Sequence, residues 1–430
     1  MKENCKLTAL EKHWILYDVG NSAFILLVST LLPIYFNALA GSAGLSESEY
    51  LAYWGYAGSV STILVATIAP ICGTLADQGG CKKLLFAVCL GLGAIGCAAL
   101  GAAWSWLSFL VIFVIAKVGY SSSLVFYDSM LTEVTSPARM DKISSMGYAY
   151  GYIGSVIPFI VCLVVVLGYE VIGISQTAAL VIAFIITAVW WILCGMPLLK
   201  SYKQTAMAGN VSGSAVLNTF RQLGRSLKEV SKQKHIFLYL LAFFFFIDGV
   251  YTIIDMATAY GTALGLDTTG LLLALLLTQI VAFPCSIIFG RLSAKFDTAK
   301  LIMVCIACYT GITLFAVFLG TQWQFWVLAV LVGMFQGGIQ ALSRSYLGKI
   351  IPPERSGEYY GLMDICGKGA SFVGTTLVAV VTQATDGMEW NLFGVTIENE
   401  GLAVGTLVVL FAIGFVLFCK ADKLNRSRNA

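Results

Sequence analysis

The sequence predicts an all-α polytopic membrane protein with twelve transmembrane helices in two pseudo-symmetric six-helix halves. Three observations carry that prediction. Hydrophobic residues make up 58% of the 430 positions and charged residues only 11%, with a mean hydropathy of +0.85. A soluble domain of this length has too little interior to hide so much apolar surface. Apolar runs long enough to span a bilayer recur at 14–37, 51–75, 84–103, 105–130, 144–168, 176–198, 236–263, 268–290, 300–320, 324–347, 359–383 and 402–419. They are rich in Leu, Ala and Gly and lack the short alternating segments of a β-barrel. Third, the chain echoes itself. A shift of 216 residues aligns Pro137 with Pro353, Arg139 with Arg355, Gly151 with Gly367 and Ser155 with Ser371. A shift near half the chain length points to a duplicated architecture.

The charges give the same count. Of 26 Lys and Arg, 23 lie at the N-terminus, in alternate loops, in a central linker and in the tail. The other three, Lys117, Arg344 and Lys368, fall inside predicted spans. The opposite loops hold Glu47, Glu49, Glu170, Asp267, Asp386, Glu389, Glu398 and Glu400. By the positive-inside rule both termini are cytoplasmic, as an even helix count requires. The net charge of +3 is therefore topological and gives no reason to expect nucleic acid as a partner. The domain boundaries follow: 1–198 is the first half, 199–234 a cytoplasmic linker and 235–430 the second half. Within the linker, Val216, Phe220, Leu223, Leu227 and Val230 recur at spacings of four and three with Arg and Lys between. That pattern predicts a basic amphipathic helix on the anionic inner leaflet.

Segment 1 opens with basic residues and ends its run at Ala38-Leu39-Ala40, a signal-peptide-like order. The run is too long for that and contains Asp18, Asn21 and Ser22, so it is expected to remain as a helix. A carboxylate and an amide one turn apart are costly against lipid. They either face a pathway or bond neighbouring backbone. Segment 2 ends in Gly73-Thr74-Leu75-Ala76-Asp77-Gln78-Gly79-Gly80-Cys81-Lys82-Lys83. Here the glycines permit close helix approach, and Asp77 suits a helix N-terminus. A weaker echo, Gly290 to Asp297, follows segment 8 at a shift of 217.

Segment 4 carries Lys117 and Asp128, and segment 5 carries Gly147, Gly151 and Gly154 for tight packing. Asp248 and Asp255 of segment 7 are seven residues apart and share a face. Segment 10 carries Gln336, Gln340 and Arg344, and Arg139 and Arg355 follow segments 4 and 10 at equivalent loop positions. Asp364 and Lys368 of segment 11 have the spacing of an intrahelical ion pair. They either neutralise each other or face a pathway. Cys305 and Cys308 form a CxxC inside segment 9, where packing is the expected role. The two His, His13 and His235, sit at helix entrances. No metal-ligand cluster, Walker motif or cofactor signature is read, and no nucleophile–base constellation suggests an enzyme.

The segment 2 ending resembles the loop 2–3 motif of the major facilitator superfamily, GxLaDxxGxkk. A more specific resemblance lies in Tyr17-Asp18-x-x-Asn21-Ser22-Ala23-Phe24 and in Gln336-Gly337-Gly338-Ile339-Gln340-Ala341-Leu342-Ser343-Arg344-Ser345 with the following Ile351-Pro352. These patches are similar to the vacuolar-effluxer-like branch of that superfamily, which includes the fungal autophagy-related amino-acid exporter and bacterial relatives. This chain has Val19-Gly20 where members often have Trp-Ala, and it lacks the Gly-Pro-x-x-Gly-Gly signature of drug antiporters.

The resemblance implies a major facilitator fold and a secondary active transporter in the plasma membrane, moving a small organic solute by alternating access. It implies a monomer in the bilayer with a small-molecule substrate and no cofactor. From the residues, one of Asp248 and Asp255 either carries a coupling proton, its carboxylate being buried, or stays ionised as a structural partner of a lysine. An amino acid is the first substrate candidate. A multidrug or other small-molecule exporter and a non-transporting receptor are the alternatives. Asp18, Asn21, Ser22, Lys117, Asp248, Asp255, Gln336, Gln340 and Lys368 are the expected substrate or coupling residues, since they lie on helices that line the pathway in the superfamily. Asp77, Lys82, Lys83, Asp128, Arg139, Arg344, Arg355 and Asp364 are the expected gate residues. Asp128 and Arg344 align at the 216-residue shift with opposite charges; either this pair, with Asp364, latches the inner gate, or Arg344 pairs with Asp364 within its own half and contributes only to packing.

Overall fold

In a computed structural model, residues 6–207, 228, 230–385, 390–392, 395–397 and 399–429 are described. Several helices start where a side chain can meet the first unpaired N–H groups. Thr8 and Glu11 form a reciprocal capping box before α1 (Ala9–Ser42), and Ser46 and Glu49 do the same for α2 (Glu47–Gly79). Gly80, at φ 63°, ends α2 in the left-handed region that an L side chain avoids. Then come α3 (Lys82–Ala99), α4 (Trp106–Val134, capped by Ser105), α5 (Met140–Leu167) and α6 (Gln176–Ser201, capped by Ser175). The second half runs α7 (Lys234–Ala263), α8 (Thr268–Leu292, capped by Asp267), α9 (Thr298–Val317, capped by Asp297) and α10 (Gln322–Ile350). It ends with α11 (Ser356–Ala384) and α12 (Leu407–Asn429).

Among the described residues, eleven of these helices are long and apolar enough to cross a membrane. The twelfth, α11, has 29 residues, and among its described residues Val373–Ala384 is a shorter apolar stretch. The expected twelve helices are therefore all present, each overlapping its predicted run. The loop between α11 and α12 adds a feature that the sequence did not suggest. A short antiparallel pair, β1 (Trp390–Leu392) and β2 (Val395–Ile397), places Trp390 opposite Ile397.

The duplication is exact at three helix starts. Lys82 and Thr298, Trp106 and Gln322, and Met140 and Ser356 each stand 216 residues apart. By compactness the chain divides into two units. Unit 1 comprises Met1–Ser136, Tyr150–Thr219 and Pro352–Gly361, and unit 2 comprises Pro137–Ala149, Phe220–Ile351 and Leu362–Ala430. The start of α5 thus packs with unit 2, and the start of α11 packs with unit 1. The linker positions Val216, Phe220, Leu223 and Leu227 lie outside the described residues.

Aromatic stacking fills unit 1: Trp14 lies on Tyr127 at 4.3 Å between ring centroids, and Phe24 stacks on Trp191. In unit 2, Tyr239, Tyr346 and Phe418 meet within 5.0–6.0 Å. Glycine brings backbones together where rings leave no room. A Cβ on Gly119 of α4 would collide with the Gly93 backbone of α3.

Candidate functional site

In unit 1 the α2–α3 turn builds a buried polar cluster. Lys82 is the first residue of α3, where the helix dipole disfavours a cation, and it is fully buried. Such a charge persists only when paired. Its ammonium reaches Glu133 of α4 at 2.9 Å, the Ser356 hydroxyl at 3.0 Å and Asp77 at 3.6 Å. Asp77, 2% exposed, turns its two oxygens to the backbone N–H groups of Gly357 and Glu358, at 3.0 and 2.9 Å. Those groups are unpaired at the N-terminus of α11, and the dipole there favours a carboxylate.

The close approach depends on glycine. A Cβ on Gly73 would strike the Gly357 carbonyl, and one on Gly361 would lie 2.9 Å from the Pro70 Cα. Lys83, the second lysine of the motif, is exposed. Arg355 is bound to Glu358 at 2.8–2.9 Å and lies over the Tyr359 ring.

Unit 2 builds its counterpart with different residues. Asp141, in the first turn of α5, accepts from Lys349 of α10 at 2.5 Å, from the Thr298 hydroxyl at 2.6 Å and from the Ser345 hydroxyl at 2.6 Å. Next to it, Arg344 donates to the Ser144 hydroxyl at 2.9 Å and its carbonyl at 3.0 Å, and it stacks on the Tyr148 ring. Gly290 faces Ser145 here, as Gly73 faces Gly357 in unit 1. Within its own unit, Arg344 is therefore bound to the start of α5. Asp128, Arg139 and Asp364 are half-buried.

The expected substrate residues fall into different surroundings. Asp18 and Asn21 are buried, with the Asn21 amide 3.3 Å from the Asp18 carboxylate and 3.2 Å from the Tyr17 carbonyl. This face of α1 meets α5 at Gly151, where a Cβ would lie 2.9 Å from the Ser22 hydroxyl. Lys117 lies over the Phe113 ring at 5.6 Å and faces Gly58 of α2.

In unit 2, Asp248 is fully buried. Its Oδ1 accepts the Gly374 N–H of α11 at 2.9 Å and the Thr252 hydroxyl at 3.3 Å. Its Oδ2 has no hydrogen-bond partner among the described residues. Gly374 is required there, because a Cβ would overlap both Thr252 and Asp248. Asp255, two turns on, is exposed, so the shared face of α7 runs from buried to open. Gln340 is half-buried, and Lys368 lies in α11 with its side chain outside the described residues.

Between α7, α8 and α10, unit 2 has a partly open cavity of about 50 Å³. Ile254, Leu275, Phe325 and Val332 supply apolar walls. Of the polar lining groups, the Thr278 hydroxyl is committed to the Ala274 and Ala329 carbonyls. Gln336 differs. It is 4% exposed, and its carbonyl oxygen has no hydrogen-bond partner among the described residues. A buried acceptor without a partner costs about 1–3 kcal/mol, and a ligand or water that donates to it recovers that cost.

Sequence reasoning missed Glu133, Asp141, Lys349 and Ser356. One signal was available: Glu133 and Lys349 also stand 216 residues apart with opposite charges, like Asp128 and Arg344.

Comparison with known proteins agrees with this architecture. The family model described as "Vacuole effluxer Atg22 like" matches residues 132–422. The MFS-type transporter YxiO of Bacillus subtilis is 40% identical over 417 residues, covering 96% of this chain and 94% of that protein. Autophagy-related protein 22-1 of Aspergillus fumigatus is 26% identical over 267 residues, which cover 56% of this chain but only 43% of the fungal protein. Among solved structures, a bacterial homologue of the iron transporter ferroportin in an outward-facing state superposes with a TM-score of 0.72. It covers 96% of this chain and 98% of its own, at 14% identity, a likeness of fold. The major facilitator transporter FucP in its outward conformation gives 0.69 at 16% identity, covering 96% of this chain and 97% of its own. The chain belongs to the vacuole effluxer Atg22-like family and is an MFS-type, multi-pass membrane transporter.

Proposed function

We propose that the protein is a secondary active carrier of a small organic solute, with amino acids the first class to test. It would act as a monomer in the cell membrane with both termini in the cytoplasm. The observation that carries this reading is the Gln336 carbonyl, buried without a partner at the wall of an apolar cavity. A ligand with a hydrogen-bond donor beside an apolar body suits such a wall. Asp248 adds a buried carboxylate with one oxygen unpaired, suited to an ammonium group or a transported proton. On the first half, Asp18 is the alternative ammonium contact. Lys117, with Lys368 of the second half, supplies positive charge for an anionic group. Asp77, Lys82, Asp128 and Arg344 take the gating role, with alternating access by rocking of the halves.

The test is counterflow of labelled solutes in proteoliposomes, with amino acids and small peptides first. Gln336→Leu keeps the volume and removes the amide, so uptake should fall at least about tenfold while the folded protein is retained. Wild-type counterflow in Gln336→Leu would remove the cavity from the pathway. An imposed pH gradient should drive uptake in wild type and fail to do so in Asp248→Asn. Uptake insensitive to the gradient in both would exclude proton coupling.

A further inference from the structure

The segment leaving α6, residues 202–206, makes more contacts with the Asp77–Lys82 cluster than a simple connector needs. Gln204 bridges the two ends of the α2–α3 turn. Its amide nitrogen donates to the Ala76 carbonyl at 2.9 Å, and its Oε1 accepts the Lys82 backbone N–H at 3.0 Å. Both partners are groups that helix ends leave unpaired, and Cys81 provides no side-chain cap for α3. Gln204 therefore caps two helices at once.

The next residues surround Glu133. Its Oε2 accepts the N–H of Thr205 at 2.6 Å, the N–H of Ala206 at 3.1 Å and the Thr205 hydroxyl at 3.1 Å. Its Oε1 accepts the Tyr202 hydroxyl at 2.8 Å together with the Lys82 ammonium. Tyr202 is 1% exposed, and burial followed by the nearby Glu133 charge pushes its phenol far above the usual range. It remains a donor at any working pH. Consecutive backbone N–H groups aimed at one carboxylate form a concave anion site, and here the anion is the protein's own. Glu133 is thus held by four groups of the strap, and Lys82 is held by Glu133.

We propose that residues 202–206 are a strap whose seating on Glu133 positions Lys82, so that the hold of Asp77 on the start of α11 depends on the linker. Tyr202, Gln204 and Thr205 are positioning residues, acting through Glu133 and the α2–α3 turn. Displacement of the strap leaves Lys82 with one fewer anchor and frees the Ala76 carbonyl and the Lys82 N–H together. The linker between the halves then acts as a control on the gate and not only as a tether. This rests on the reading of Asp77 and Lys82 as gate residues.

Hydrogen–deuterium exchange of the full-length protein in lipid nanodiscs tests it, because the amides of Thr205, Ala206, Gly357 and Glu358 are themselves the contacts. Tyr202→Phe removes one O–H with little change of shape, and Gln204→Ala removes the bridge. Each should speed exchange at 202–206 and also at 357–358 by about tenfold, the effect of losing one hydrogen bond to the Glu133 carboxylate in Tyr202→Phe and two backbone hydrogen bonds in Gln204→Ala. Thr205→Ser, which keeps the hydroxyl, should leave both segments as in wild type. Faster exchange at 202–206 with no change at 357–358 overturns the strap. Asp77→Asn should speed exchange at 357–358 and leave 202–206 protected. If Asp77→Asn has no effect at 357–358, the gate reading beneath the proposal fails instead.

Discussion

The two polar clusters at the basic-loop ends occupy equivalent positions in the duplicated chain and use opposite charges. In unit 1, Glu133 of α4 faces Lys82 at the head of α3, and the arriving α11 offers backbone N–H groups at Gly357 and Glu358. In unit 2, the position of Glu133 is Lys349, that of Lys82 is Thr298 and that of Gly357 is Asp141, each displaced by 216 residues. Lys349 and Thr298 both donate to Asp141. The negative charge has moved from the resident helices to the arriving one. The two clusters also differ in burial. Side-chain exposure is 0% and 2% for Lys82 and Glu133, but 25% for Lys349 against 6% for Asp141. A duplicated backbone thus preserves where a contact is made and not which partner carries which sign. Burial then decides how strongly each contact depends on its pairing.

The comparison breaks most sharply at the lysines. Lys82→Met leaves Asp77 and Glu133 buried without their cation, a loss of about 3–5 kcal/mol for a buried pair stripped of one partner. Lys349→Met should cost only about 1 kcal/mol, because water can take over the partly exposed site. Thermal unfolding of the two variants in the same nanodiscs measures the difference. Equal shifts would mean that burial does not separate the clusters.

The glycines give a smaller contrast. In Gly73→Ala the new methyl meets the Gly357 carbonyl, a backbone atom with little freedom to yield. Overpacking of that kind costs about 2–3 kcal/mol. In Gly290→Ala it meets the Ser145 Cβ at 2.9 Å, a milder overlap than that on Gly73, so a smaller cost of about 1–2 kcal/mol is expected. Exchange at the Gly357 and Glu358 amides should rise in Gly73→Ala and stay unchanged in Gly290→Ala. A larger effect from Gly290→Ala would reverse the order of the two seams.

Much of the fold was legible because the bilayer imposes simple signals. Span length and loop charge report the same twelve helices, and the 216-residue shift reports their duplication. The carboxylate of Asp77 was legible as a helix-terminus ligand because Gly73 and Gly80 frame it. Glu133 was not. It lies at the end of an apolar run beside a loop, where a glutamate ordinarily faces water, and only the strap at 202–206 makes it a buried anion. Asp141 was hidden for the same reason, since its partners Lys349, Thr298 and Ser345 are remote in sequence. The unpaired Gln336 oxygen was legible only as a polar residue in an apolar span. That it lines a cavity depends on how α7, α8 and α10 pack. The β1–β2 pair is too short for periodicity to register.

The smallest expected effect tests the electrostatic half of the comparison. Asp141→Asn keeps an oxygen that can accept from Ser345 or Thr298, so two of the three contacts can be partly retained. It loses the charge that Lys349 answers and turns an N–H₂ toward existing donors. Because Lys349 is a quarter exposed, the net cost should be near 1 kcal/mol at low salt. Ionic strength supplies the check. Raising salt from 0.1 to 1 M shortens the screening length from about 10 to about 3 Å, which weakens an exposed pair far more than a buried one. The stability gap between wild type and Asp141→Asn should therefore narrow at 1 M salt, while the gap for Lys82→Met stays nearly constant. If the Asp141→Asn gap is unchanged by salt, then Asp141 is held by its two hydroxyl donors and not by Lys349. The second cluster would then be a hydrogen-bonded joint, and the inversion of charge between the halves would carry no energetic weight there.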